Sequence, residues 1–171
     1  MVRVLVSDTS ILIELAQWSL LESLFKLPLE FAIPDALYED ELLELGEINR
    51  EQLKELGLRV ESLDAEGMAR ATVYQTAQPK LTFHDCLALT LAVTNGWPLL
   101  TGDKRMRTLA DEAHLEAHGV LWVIDQFAEH RAVSKRALSE ALECMRASPR
   151  TWLPHNEIDR RLEALSGKTG G

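Results

Sequence analysis

This 171-residue chain predicts an α/β domain: a central parallel sheet of about five strands covered by helices, followed by a helical C-terminal extension. Two observations carry that expectation. Short β-branched or apolar runs alternate with longer amphipathic stretches as far as about residue 125, the pattern of strands joined by crossover helices. Acidic residues recur at the ends of those runs, on the edge where open α/β sheets place their sites.

The elements follow in order. "VRVLVSD" (2–8) is a β-branched run, expected as a buried strand. "TSILIELAQWSLLESLFKL" has helical spacing through Ile11, Leu12 and Leu15 and, after a break, Leu20, Leu21 and Leu24. "FAIPD" (31–35) is a second strand stopped by Pro34, and "ALYEDELLELG" (36–46) a helix. "LRVESL" (58–63) alternates like a third strand. Asp64 caps a helix over 65–78, and the apolar stretch 81–96 is a helix closed by Asn95-Gly96. "WPLLTGD" (97–103) is the expected fourth strand, 104–119 a helix, and "VLWVID" (120–125) the fifth strand. Helical stretches at about 126–131, 134–147 and 155–165 finish the chain, with disorder expected in the final "KTGG". The division is a domain over 1–130 and an extension over 131–171.

A chain of this size suits one domain that buries roughly 70% of its unfolded surface. It has no apolar span of membrane length and no signal-peptide pattern at its start, and Cys86 and Cys144 form no disulfide or CxxC pattern. A cytoplasmic location without membrane contact is therefore expected. The net charge of −9 argues against broad, nonspecific nucleic-acid binding. The charge is uneven, however: residues 1–129 carry 10 Lys/Arg against 22 Asp/Glu, and residues 130–171 carry 8 against 5. A basic tail on an acidic body can hold a polyanion locally.

Four segments deliver acid to one sheet edge. Asp8 ends the first strand and Asp103 the fourth; Glu39, Asp40 and Glu41 follow the second; Asp85 lies in the first turn of the helix before the fourth. Each has a structural alternative. Asp8 and Asp103 are plausible N-caps, Thr82 to Asp85 is a capping-box pattern, and the early acids suit a solvated helix face. Convergence changes the balance, because two carboxylates about 4 Å apart repel by roughly 4 kcal/mol at an effective dielectric of 20. Such a group needs raised pKa values or a cation, and oxygen-only ligands favour Mg²⁺ or Mn²⁺. A hard cation that activates water and neutralises phosphate suits phosphodiester hydrolysis. Lys104, Arg105 and Arg107, directly after Asp103, are candidate phosphate contacts, or a solvated basic helix turn.

Other signals are weaker. His114 and His118 are spaced i, i+4 without the glutamate of a zinc-protease motif, and no Walker A spacing accompanies "VLVSD". Trp18, Trp97, Trp122 and Trp152 show no stacking-platform grouping and are expected in the core or between helices. Ala137, Leu138, Ala141, Leu142 and Met145 form an apolar stripe whose cover is the domain, a partner protein or, the favoured expectation, a second copy in a homodimer.

"VLVSDTSILIEL", "HDCLALTLA" and "LLTGDKRMR" resemble the three best-marked segments of PIN domains, and "IPDALYEDEL" resembles the segment carrying that family's early glutamate. The resemblance covers about residues 2 to 125. It implies a three-layer α/β/α domain and a Mg²⁺- or Mn²⁺-dependent endoribonuclease acting on single-stranded RNA, similar to VapC-type toxins that pair with an antitoxin. It implies Asp8, Asp85 and Asp103 as metal ligands and catalytic acids, with Ser10 and Thr101 supporting them. The early acid departs from the pattern: Glu41 is favoured, then Glu39, then Asp40. The alternatives are a non-catalytic binding or regulatory module of the same fold, and a DNA nuclease or phosphatase using the same acids.

Overall fold

The computed structural model describes residues 2–42 and 45–167. Five parallel strands form one sheet: β1 (Arg3–Ser7), β2 (Leu29–Pro34), β3 (Arg59–Glu61), β4 (Leu99–Leu100) and β5 (Ala117–His118), in the order β3-β2-β1-β4-β5. The chain walks outward from β1 to β3, then returns to the other side of β1 as β4. Strand order therefore reverses between β1 and β4, whose register pairs Val6 with Leu99 and Ser7 with Leu100. This is the switch point at which such sheets open a crevice.

Helices α1 (Thr9–Gln17), α2 (Leu21–Leu24), α3 (Asp35–Asp40), α4 (Arg50–Leu56), α5 (Ala65–Ala77), α6 (Phe83–Asn95) and α7 (Lys104–Glu112) surround the sheet, giving the expected α/β/α class. Ser19, at φ 58°, supplies the break between α1 and α2. Helix α6 buries every residue from Cys86 to Ala92, as its nearly continuous apolar sequence requires, and ends on Gly96 in the left-handed region. Burial pushes the Cys86 thiol up to about 11.

Several elements differ from expectation. The run at 120–125 is not the fifth strand. It begins helix α8 (Val120–Glu129), because Val120, Val123, Ile124 and Phe127 fall on one helical face and all are buried. The edge strand is instead the two-residue β5. Helix α7 accordingly stops at Glu112, and His114 at φ 57° turns the chain toward β5. The helix expected over 36–46 stops at Asp40, and its residues 43 and 44 lie outside the described residues. Helix α4, which the reading above does not assign, carries its own signals: a reciprocal capping box between Asn49 and Gln52, and Gly57 at its end.

The extension comprises α9 (Lys135–Ala147) and α10 (His155–Leu165). Leu138, Leu142 and Met145 of the apolar stripe are fully buried within this chain, as is Ile158 of α10. Arg161 of α10 forks onto Asp125 of α8 through two hydrogen bonds of 2.8 Å. The stripe is thus covered by the chain's own helices and gives no support to the expected homodimer. The "KTGG" expectation, residues 168–171, lies outside the described residues. Among the described residues no helix is long and apolar enough to cross a membrane.

Candidate functional site

The acids lie where β1 and β4 end. Asp8 follows β1 in extended conformation and caps α1, accepting from the Ser10 amide. Asp103 follows β4 and caps α7, its Oδ1 accepting from the amides of Arg105 at 2.7 Å and Met106 at 3.2 Å. Asp85 is the third residue of α6, and its Oδ2 accepts from the Thr82 amide at 2.9 Å while Thr82 Oγ1 accepts from the Asp85 amide. The N-termini of three helices therefore meet at this edge, and their partial positive charge favours carboxylates there. Capping and site are not alternatives here, since the same side chains fill both positions.

Two hydroxyls organise the pair at the switch point. Thr101, fully buried, sits just beyond the Ser7–Leu100 pairing and donates to Asp8 Oδ2 at 3.0 Å. Its Oγ1 accepts from the Asp103 amide at 3.1 Å, so one hydroxyl couples Asp8 to the backbone of Asp103. Ser10 Oγ donates to the same Asp8 oxygen at 3.1 Å. Asp8 is only 6% exposed. Burial, and then the charge of Asp85, push its pKa above the usual carboxylate value, against the lowering effect of the Thr101 and Ser10 hydrogen bonds.

Of the three early acids, Glu41 turns toward this place. It is the C-cap of α3, its carboxylate accepts from the Thr9 hydroxyl, and it lines the same cleft as Asp8, Asp85 and Asp103. Asp40 faces His84, with 2.9 Å between Asp40 Oδ2 and His84 Nε2, and the other ring nitrogen of His84 lies 3.4 Å from Glu41. Glu39 pairs with Arg50 on the exposed side of α3. Neither Asp40 nor Glu39 lines the cleft. Of the three basic residues, Lys104 and Arg107 line it; Arg105 does not, and its guanidinium lies 4.0 Å from the Asp103 carboxylate.

The cleft has a volume of about 1140 Å³. Its donors are carboxylates and hydroxyls, the set that suits a hard, oxygen-seeking cation. The strain on a buried carboxylate such as Asp8, near the charge of Asp85, is relieved by a proton or by a cation. The conformations do not form a finished metal cage: among the described residues no three Asp, Glu, His or Cys side chains stand within reach of one ion. The expectation that Asp8, Asp85 and Asp103 present their carboxylates ready to share one cation is not met. The hydrogen bonds explain this, because Asp85 and Asp103 are turned onto the amides they cap. The residues suit a divalent cation in donor type, while their positions do not bring three of them to one ion among the described residues.

The family model DUF3368, described as a PIN domain, matches residues 4–167. The chain belongs to the PIN domain family. PIN domains are generally nucleases, so the scaffold around these acids is a nuclease fold that implies nucleic-acid binding. The match runs through α9 and α10, beyond the segment in which the sequence resemblance was legible. No curated protein matches the chain.

Three features of this PIN domain's cleft escaped sequence reasoning. Thr9 selects Glu41, a contact across 32 positions that no local motif encodes. The segment between α9 and α10 lines the cleft through residues 150–154. Trp152 in that segment is 97% exposed, contrary to the expectation that all four tryptophans pack inside; Trp18, Trp97 and Trp122 do pack against the core. The exposed run Ser148 to Pro154, with two prolines and an arginine, was the available signal.

Proposed function

We propose that this PIN domain is a Mg²⁺- or Mn²⁺-dependent endoribonuclease that cleaves phosphodiester bonds in single-stranded RNA. The observation that carries the proposal is the cleft at the switch point, where Asp8, Glu41, Asp85 and Asp103 from four separate segments line one space together with Lys104 and Arg107. Those four acids would hold the cation, which when bound supplies Lewis-acid neutralisation of phosphate charge and activation of water.

The chain's own groups do the rest. Thr101 and Ser10 hold the Asp8 carboxylate in one orientation, and Thr9 holds Glu41. Lys104 and Arg107 bind the scissile phosphate and keep its phosphorus in line with the attacking water. The N-termini of α1, α6 and α7 favour negative charge in the same place, both the acids before reaction and the phosphate during it. Two free cysteines, one buried and one exposed, support a reducing, cytoplasmic setting. The likeness of the Asp8, Asp85 and Asp103 segments to VapC-type toxins supports a toxin role with an antitoxin partner, which an adjacent gene for a small DNA-binding protein would test.

The deciding experiment incubates purified protein with unstructured RNA, structured RNA and single-stranded DNA, in Mn²⁺ and in EDTA. Cleavage of unstructured RNA in Mn²⁺ alone is expected. Cleavage of DNA but not RNA would make the protein a deoxyribonuclease. Intact nucleic acid in every condition would leave the non-catalytic module as the reading.

A further inference from the structure

The cleft continues past the acids. Ile13 on α1, Trp122 on α8, and Arg150 and Trp152 from the segment between α9 and α10 line it together with the acids. Leu153 packs against the core, which anchors the segment directly after the tryptophan. Trp152 nevertheless stands 97% exposed, although an indole is among the side chains with most to gain from burial.

The charges beside it are unusual for this protein. Most arginines of this acidic chain are paired with carboxylates, among them Arg3, Arg50, Arg59, Arg146 and Arg161. The three cations that line the cleft, Lys104, Arg107 and Arg150, form no ion pair among the described residues. A cleft lined by three unpaired cations and an exposed aromatic side chain matches a ligand with repeated phosphates and flat, apolar bases.

We infer that Trp152 and Arg150 form a subsite for one unpaired nucleotide of the RNA strand, with the indole stacked on its base and the guanidinium on the adjacent phosphate. This rests on the reading of the cleft as an RNA site and adds to it a base-stacking subsite. Stacking on an exposed tryptophan requires a base whose face is free, so the subsite selects single strands over duplex. Continuity with the acidic centre sets the stacked nucleotide on the same strand as the scissile phosphate.

The test is binding of a short fluorescent single-stranded oligoribonucleotide, by anisotropy, at low salt in EDTA. W152A should weaken binding about 5- to 150-fold, the range that stacking of one base spans, and W152F should restore most of it. An oligonucleotide of abasic residues should bind wild type and W152A alike. Thermal melts should match, because the removed side chain is in solvent. Equal RNA affinity of W152A and wild type overturns the subsite, as does a change in oligomeric state of W152A by light scattering with RNA affinity intact, which would make Trp152 a protein contact. No binding by wild type, in EDTA and again in Mg²⁺, overturns the subsite and the RNA reading together. Base-dependent binding through Trp152 without cleavage in Mn²⁺ supports the subsite and removes only the nuclease assignment.

Discussion

Asp103 is both a helix cap and a cleft acid, and substitution separates the two. Asn caps about as well as Asp, so Asp103→Asn should leave stability within about 0.5 kcal/mol of wild type, whereas Asp103→Ala should cost about 1 kcal/mol. Cleavage of RNA should fall by orders of magnitude in both, and a fully active Asp103→Asn protein would reduce the residue to its cap. Glu41→Gln should likewise damage cleavage more than Glu39→Gln or Asp40→Asn, since only Glu41 lines the cleft; a dead Glu39 variant beside an active Glu41 variant would reverse the assignment. Asp8 adds a pH signature. Its folded pKa is raised above the ordinary 3.8, so in metal-free protein the unfolded chain ionises first as pH rises and the folded state holds the extra proton. Stability then falls with rising pH in that window, and the full cost is present above the folded pKa. Asp8→Asn has no such group, so its stability relative to wild type should improve from about pH 4 to pH 7 in EDTA. Denaturant melts at several pH values measure this, and a constant difference would mean the carboxylate is not destabilised. The place of Asp8 at the sheet edge was legible because an aspartate directly after a buried strand has few other places to go. Which of residues 39 to 41 turns inward was not, because helix periodicity limits the choice to one but only the hydroxyl of distant Thr9 names it.

At the scale of elements, β1, β2, β3 and β4 were legible as short apolar runs between turn residues, while β5 was not. Ala117 and His118 are a two-residue edge with no apolar signal, and the neighbouring β-branched run "VLWVID" imitates a strand over six residues. Its helical period shows only when the window extends to Phe127, and burial of that face then outweighs β-propensity. Helix α9 misled in the opposite direction: its stripe was real, but its cover is intramolecular. Ile158 of α10 is fully buried in that contact. Ile158→Ala should therefore destabilise the protein by about 2–5 kcal/mol by transfer and cavity effects, read as a lower denaturation midpoint with an unchanged slope. A loss below about 0.5 kcal/mol would mean that α10 is only loosely docked and that the Trp152 segment before it is not held by the extension.

At the scale of the whole molecule the difficulty is charge: a protein of net −9 must draw a polyanion into a cleft lined with carboxylates. Two features of the fold oppose that repulsion locally. Three helix N-termini point at the acids, and three cations are left without carboxylate partners among the described residues where they line the cleft. Binding strength should then follow those few contacts rather than net charge. For a single strand each neutralised phosphate contributes about 0.7 to the slope of log K against log salt, so Lys104, Arg107 and Arg150 together predict a slope of about −2. Titrating an oligoribonucleotide across a salt series in EDTA measures it. Arg150→Gln should reduce the slope by about 0.7 while leaving RNA discrimination by base identity unchanged, because a phosphate contact carries no sequence information. A slope near zero would mean that the strand does not enter between these cations. A slope steeper than about −4 would move the main contact out of the cleft and onto the basic surface of residues 130–167.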